Sequence, residues 1–285
     1  MVAQHDPHAI LTCWAQVSEA AIGLPTELRI VARMGVGLDN IAVAAATRRG
    51  AWVTNVPDYC VEEVSDHAIA LLLNAWRGIA SFDREVKAGR WNPESAKLRR
   101  LAGSTIGIVG YGRIGSTTAR KLASGFRCRV LVTSPTLVDA GGAGPDPGAG
   151  IRAVDLETIQ READAIILHA PSVAATRHLV NDDFLRRCAR RPLLINVSRG
   201  ALVDNDALLR ALAADRISGA ALDVVEGEPS PPLELVRHQA VTVTPHVAFS
   251  SDASLAELRR RVAEEVVRVV RGQPPLHPCN APVLP

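Results

Sequence analysis

Lysine is almost missing from this chain. Lys87, Lys97 and Lys121 stand among 32 basic residues, so arginine carries nearly all of the positive charge. We read that as genomic composition, not function. A strong net charge is also missing: 30 acidic residues balance the basic ones to +2. No field of one sign therefore points to nucleic acid or to a membrane surface. The run Arg259-Arg260-Arg261 reads as the solvated face of a helix. The five cysteines are odd in number and contain no C-x-x-C pair. That argues against a disulfide frame or a metal site and for reduced thiols in a cytoplasmic protein. Apolar runs such as Ile69–Leu73 are far too short to cross a bilayer. Met1 to Pro7 is polar and lacks a signal-peptide core.

What is present is material for two domains. The 285 residues are 47% hydrophobic, enough for ordinary cores. Apolar runs alternate with amphipathic stretches, which predicts an α/β fold with parallel strands. Strands are expected at Ala9–Trp14, Arg29–Met34 and Ala51–Val56. A long helix is expected over Val61 to Gly89, with Glu62 and Glu63 at its N-terminus. Val64, Ala68, Leu71, Leu72 and Ala75 form its apolar stripe. Six strands should follow: Thr105–Val109, Arg129–Thr133, Ala165–Leu168, Leu193–Val197, Gly219–Leu222 and Val241–Thr244. Ala140 to Gly150 is rich in Gly and Pro and reads as a surface loop. A last helix, about Ala253 to Arg271, carries a capping-box pattern in Ser254-Leu255-Ala256-Glu257 and stops at Gly272.

Gly110-Tyr111-Gly112-Arg113-Ile114-Gly115 follows the β-run Ile106–Val109 and precedes a helical pattern. In that context G-x-G-x-x-G reads as a dinucleotide loop. Gly110 allows the tight turn, Gly112 lets a pyrophosphate reach the backbone, and Gly115 lets helix and strand pack closely. The helix N-terminus then offers N–H groups, those of Arg113 and Ile114 among them, to the phosphates. A ribose-binding acid is expected about 20 residues on. Ser134 stands there instead. Nothing repels a 2′-phosphate, and Ser134 and Thr136 could donate to one, but no Arg follows at once. NAD(H) and NADP(H) both remain open, with a slight lean to NADP(H).

Downstream stand a fixed cation, Arg199, and two groups that can share a proton, Glu228 and His246. Asn196-Val197-Ser198-Arg199-Gly200 ends an apolar run, Glu228-Pro229 closes Leu222-Asp223-Val224-Val225-Glu226-Gly227-Glu228-Pro229, and Thr244-Pro245-His246 follows another strand-like run. A guanidinium can hold a carboxylate through two hydrogen bonds. It also polarises a ketone, and histidine moves protons near neutral pH. Together with the glycine loop, this set suggests hydride transfer to or from a small anionic substrate. Glu226 competes with Glu228 as partner of His246.

These motifs, with Arg33-Met34-Gly35-Val36-Gly37-Leu38-Asp39-Asn40, Asn55-Val56-Pro57-Asp58-Tyr59-Cys60 and His169-Ala170-Pro171, make the chain resemble the D-isomer-specific 2-hydroxyacid dehydrogenases. The nearest branch includes the C-terminal binding proteins and phosphoglycerate dehydrogenase-like enzymes. The resemblance runs from about Leu28 to Asn280. It implies that Arg199 holds the substrate carboxylate and carbonyl oxygen, that His246 is the general acid–base, and that Glu228 pairs with it. Val36 and Gly37 resemble a loop whose N–H groups hold the substrate carboxylate; a plain turn is the alternative. Asp223 matches an acid that contacts the nicotinamide amide, or it is a structural cap. Arg33 matches a position that meets a second anionic group, or it forms a salt bridge. Phe249 shapes the pocket or belongs to the core. Pro171 belongs to a cofactor-binding loop.

The resemblance also implies an architecture: a Rossmann dinucleotide-binding domain over 61–249, and a discontinuous flavodoxin-like substrate domain from 1–60 and 250–285. Members usually carry five strands in the latter, where this chain offers three before the long helix. Either the start was placed late or part of that lobe is lacking. Ala9–Trp14 then becomes an edge strand whose Ile10, Leu11 and Trp14 need cover. No separate serine-sensing domain is expected after Asn280. The implied reaction is reversible reduction of a 2-oxo acid to a D-2-hydroxy acid by a homodimer, with the helix after Tyr59 at its interface. Phosphite oxidation is disfavoured, because that branch has a Lys where Val36 stands. The alternatives are a non-catalytic dinucleotide-sensing interaction protein and a degraded enzyme.

Overall fold

The computed structural model describes residues 2–138 and 150–282. The chain divides into two compact units, Met1–Cys60 with Ser250–Pro285, and Val61–Phe249. The stretch 140–149 of the expected surface loop, and the side chain of Thr136, lie outside the described residues.

The first unit holds three parallel strands: β1 (Ala9–Thr12), β2 (Ile30–Arg33) and β3 (Trp52–Thr54), in that spatial order. Ala9 faces Ile30, and Ile30 faces Trp52. The central strand is buried at all four residues, as a parallel strand covered on both faces must be. Val17, Ile22, Val31, Ile41, Ala46 and Val53 form the core. The helix Asp252–Val270 packs on β1 and β2 through Leu258, Val262 and Val269. Its cap differs from the expected one. The chain enters the helix one residue earlier, so Ser251 and Ser254 cap each other, at 2.9 Å and 2.8 Å. Gly272 ends it in a left-handed conformation (φ 76).

The two edges of this sheet differ. Along β3, the Cys279 N–H donates to the Val53 carbonyl at 2.7 Å, and the Asn280 side chain accepts from the Val53 N–H at 2.7 Å. Strand β1 stops at Thr12, two residues before the expected end. Ile10 packs on the core, whereas Leu11 is 50% exposed and Trp14 59%. At this edge the Arg33 guanidinium lies over the Trp14 ring, 6.0 Å from its centroid.

The second unit is a seven-stranded parallel sheet. Its strands are β4 (Thr105–Val109), β5 (Arg129–Thr133), β6 (Ile151–Ala153), β7 (Ala165–Leu168), β8 (Leu193–Asn196), β9 (Gly219–Leu222) and β10 (Val241–Val243). The order is β10-β9-β8-β7-β4-β5-β6. The winding reverses between β4 and β7, the Rossmann switch point beyond whose carboxyl ends ligands bind. Strands β4, β7, β8 and β9 are buried throughout. Strand β6 is a seventh that the apolar pattern missed. It is three residues long, lies at the edge and is only partly buried, so it needs no apolar run.

The expected long helix is two: Val61–Arg77 and Ile79–Lys87. Gly78 breaks it at φ 64. A Cβ there would lie 2.8 Å from the Phe82 ring, so the break uses both the freedom and the smallness of glycine. The first segment buries Val64, Ala68, Leu71, Leu72 and Trp76. Among the described residues, no helix is long and apolar enough to cross a membrane.

Candidate active site

The glycine loop leaves β4 at the switch point. Gly110 takes φ 100, and its N–H donates to the Thr133 carbonyl at 2.8 Å. A Cβ at Gly110 would sit 2.5 Å from the carbonyl carbon of His169, and one at Gly115 would collide with the Gly110 carbonyl. A Cβ at Gly112 would meet nothing within 4 Å. The loop is therefore pressed by Gly110 onto the His169–Ala170 backbone just after β7 and by Gly115 onto its own first turn, and it is open at Gly112. Gly112 caps the helix Arg113–Arg120, whose first N–H groups, including those of Arg113 and Ile114, have no intrahelical acceptor. A pyrophosphate fits this cradle. Beneath it, the His169 Nε2 is buried without a hydrogen-bond partner. Burial pushes this imidazole down to about 3, so it stays neutral.

Ser134 follows β5 directly, and its carbonyl accepts from the Leu137 N–H at 3.1 Å. The strand end carries no carboxylate. Pro171 is exposed, and its carbonyl accepts from the Thr176 hydroxyl at 2.6 Å.

Asn196 ends β8 fully buried. Its Nδ2 donates to the Arg199 carbonyl at 2.8 Å, and its Oδ1 accepts from the Ser198 N–H at 3.1 Å. The Ser198 hydroxyl donates to the Leu168 carbonyl at 2.6 Å. These bonds shape the turn that presents Arg199, which is partly buried and donates from Nη1 to the Ser198 carbonyl at 2.7 Å. Gly200 then packs so closely on the Val225–Glu226 backbone that no side chain fits. Arg199 is thereby registered against the loop that carries Glu228.

The His246 Nδ1 lies 2.7 Å from the Glu228 Oε1. The histidine is 22% exposed and the glutamate 38%, so the pair stands at the rim of the protein interior. Glu228 also accepts from the Val225 N–H at 3.4 Å. Glu226 is engaged elsewhere, by the His178 Nε2 at 2.7 Å and the Arg177 guanidinium at 2.8 Å. That answers which glutamate partners His246. The Phe249 ring meets the His246 ring edge-on, with centroids 6.3 Å apart.

His246 has φ 53, a conformation non-glycine residues seldom adopt. Its N–H reaches the carbonyls of Asp223 (2.8 Å) and Thr244 (3.0 Å). Asp223 is 1% exposed. Its Oδ1 accepts from the Thr244 hydroxyl at 2.6 Å and the Val247 N–H at 3.0 Å, and its Oδ2 from the Ala248 N–H at 3.0 Å. The His67 Nε2 lies 3.0 Å from the Thr244 Oγ1.

Arg33, Val36 and Gly37 belong to the other unit. Arg33 is buried. Its Nε donates to the Gly37 carbonyl at 2.9 Å and its Nη1 to that of Met34 at 2.7 Å. It thus folds the Gly35–Gly37 loop around itself. The Val36 carbonyl accepts from the Asn55 Nδ2 at 2.7 Å.

The structure joins His246, Glu228, Asp223 and Phe249 in one set of contacts. It ties Arg199 to them through Gly200, and it gathers the glycine loop, Ser134 and Pro171 at the strand ends. His67, Thr244, Asn196, Arg177 and His178 were missed from sequence. His67 carries a faint signal, a polar residue at i+3 from Val64 on the buried stripe; its partner lies 177 residues away. Two of the thiols are not nucleophile candidates: burial pushes Cys128 up to about 11 and Cys188 to about 12.

Comparison with known proteins places these features. Residues 69–248 match the model of the D-isomer specific 2-hydroxyacid dehydrogenase, NAD binding domain. A glyoxylate reductase from Korarchaeum cryptofilum is 38% identical over 275 residues, 95% of this chain and 80% of the relative. One from Pyrococcus furiosus is 39% identical over 290 residues, 98% of this chain and 84% of the relative. The crystal structure of an NADPH-dependent glyoxylate/hydroxypyruvate reductase from Sinorhizobium meliloti, in complex with NADP and malonate, superposes with a TM-score of 0.84. It is 34% identical, with 95% of this chain and 83% of that one covered. The chain belongs to the D-isomer-specific 2-hydroxyacid dehydrogenase family, NAD(P)-dependent oxidoreductases that interconvert 2-oxo and 2-hydroxy acids.

Proposed function

We propose that His246 is the acid–base of this oxidoreductase, Glu228 its partner and Arg199 its substrate clamp. The observation that carries the reading is the 2.7 Å contact between the His246 Nδ1 and Glu228. With Nδ1 engaged by the carboxylate, proton transfer is assigned to Nε2. In reduction, Nε2–H gives its proton to the former carbonyl oxygen. Glu228 stabilises the protonated ring that precedes this step and orients it. Arg199 holds the substrate carboxylate and draws charge from the keto oxygen as it develops. The N–H groups of Val36 and Gly37 bind the same carboxylate, Arg33 shapes their loop, and Phe249 limits the room beside His246. Bound at the glycine loop, the nicotinamide cofactor supplies or accepts the hydride. Gly110, Gly112, Arg113, Ile114, Gly115, Ser134 and Pro171 hold it, with Asp223 near the amide.

The substrate is a small 2-oxo acid, with glyoxylate a first candidate because relatives are named for it. NADP(H) is favoured modestly, since Ser134 puts no negative charge where the 2′-phosphate would sit. The protein works as a homodimer in the cytoplasm. Ile79, Val86, Trp91 and Leu98 support the dimer: they are exposed apolar residues on and just after the helix Ile79–Lys87, and Trp91 is 83% exposed. The test is an absorbance assay of the nicotinamide with a panel of 2-oxo acids and both cofactors. Turnover of none of them would remove the reading.

A further inference from the structure

We propose that His67 is a positioning residue for His246, acting through Thr244 and Asp223. The inference rests on the acid–base reading of His246 and adds a partner from the helix Val61–Arg77.

The polarity of the path follows from the atoms. An ionised carboxylate only accepts hydrogen bonds, and a hydroxyl has a single proton. The Thr244 Oγ1 lies 2.6 Å from the Asp223 Oδ1, so the Thr244 proton goes to Asp223. The His67 Nε2, 3.0 Å from the same hydroxyl oxygen, must then donate to it. His67 therefore carries a proton on Nε2 and points it at Thr244, with the Asp223 Oδ1 a further 3.5 Å contact. Downstream, the two oxygens of Asp223 accept from the N–H groups of Val247 and Ala248. Those are the two residues after His246.

His246 itself sits at φ 53. A non-glycine residue held there is strained and persists only where its surroundings enforce it. The enforcing contacts are the Asp223 and Thr244 carbonyls before the ring and the Asp223 carboxylate after it. His67 fixes that carboxylate's hydroxyl partner from outside the loop. Its ring is 23% exposed, so it is reachable by water and replaceable without opening the core. The titratable groups in contact along the path are His67, Asp223, His246 and Glu228.

Removing the donor should loosen the loop and lengthen the contact between His246 and Glu228. Displacements of about an ångström at a reacting group can cost up to about 10²-fold. For His67→Ala we expect kcat to fall about ten- to hundredfold, with the KM for the 2-oxo acid little changed. The limb of the pH profile that reports proton donation should move to lower pH, because Glu228 then supports the protonated ring less well. His67→Gln restores a donor near the ring's Nε2 and should recover most of both effects. Thr244→Val keeps the shape, removes the relay and should reproduce the His67→Ala signature. The double variant should be no worse than either single one.

His246→Ala is measured alongside. If it keeps normal turnover, the acid–base reading fails and the inference falls with it. If it is inactive while His67→Ala and Thr244→Val keep the wild-type kcat and pH profile, the inference alone is overturned. A loss in His67→Ala that His67→Gln does not recover also overturns it, since ring packing rather than donation would then be the cause.

Discussion

Glu226 and Glu228 are two residues apart, and each meets a histidine at 2.7 Å. Both histidines are left-handed, His178 at φ 49 and His246 at φ 53. The pairs differ in what else the carboxylate touches. Glu226 also receives the Arg177 guanidinium at 2.8 Å, and its carbonyl accepts from the Asn205 Nδ2 at 3.0 Å. Glu228 meets His246 and one backbone N–H, with no guanidinium among the described residues. A fixed cation compensates Glu226 whatever the state of His178, which makes that pair a clamp. Glu228 has no such cation among the described residues, so in the proposed mechanism its charge acts on the proton of His246. On that proposal, one short loop holds a structural and a chemical version of the same pair.

The largest expected effect separates the two histidines. His246→Ala should lower turnover by about 10²–10⁴-fold, the usual worth of general acid–base catalysis. His178→Ala should change it by less than about tenfold, since it touches only the clamp. Steady-state turnover with the best 2-oxo acid measures both, and equal losses would erase the distinction. Arg199→Ala should fall with His246→Ala, through lost carboxylate binding and lost polarisation of the ketone.

Next come the carboxylates. Removing the charge of Glu228 removes what favours the protonated form of His246. Glu228→Gln should therefore lose reductive activity at a lower pH than the wild type does. Glu226→Gln should leave the profile in place. A shift in the second variant and none in the first would reverse the assignment. The end of β5 offers the opposite experiment, a charge added where none stands. Ser134→Asp should weaken NADP(H) against NAD(H), about fivefold if a like charge near the 2′-phosphate is worth about 1 kcal/mol, as for a solvent-exposed pair. A wild type that already binds NAD(H) far better would remove the basis for that test.

Much of this was legible in the sequence because it is local. The strands of the Rossmann sheet are continuous apolar runs, and the glycine loop is a contiguous motif. Arg199 and His246 each lie three residues beyond such a run, and Glu228 six. What stayed hidden depends on geometry between distant segments. Strand β6 is too short and too exposed at the edge to leave a pattern. The break at Gly78 reads as an ordinary tolerated glycine until the Phe82 ring is seen beside it. Glu226 and Glu228 could not be told apart because Arg177 and His178 lie some 50 residues upstream. His67 sits on an expected helix, but its partner Thr244 follows the last strand of the sheet.

The smallest expected effect is on stability, and it bears on what the clamp is for. Arg177 is 59% exposed and Glu226 29%, so solvent screens their attraction. Surface ion pairs of this kind contribute about 0–1 kcal/mol. Glu226→Gln keeps the shape of the side chain and one acceptor, and the bond from Asn205 goes to the backbone and survives. The variant should lose about 1 kcal/mol at most, a fall in melting temperature of about 2–4 °C or less for a domain of this size. Turnover at neutral pH should stay within a few-fold of wild type. Thermal melts run beside the turnover assay make the comparison. If Glu226→Gln melted within that range but lost turnover as deeply as Glu228→Gln, the clamp would belong to the chemistry, and the contrast between the two glutamates would collapse.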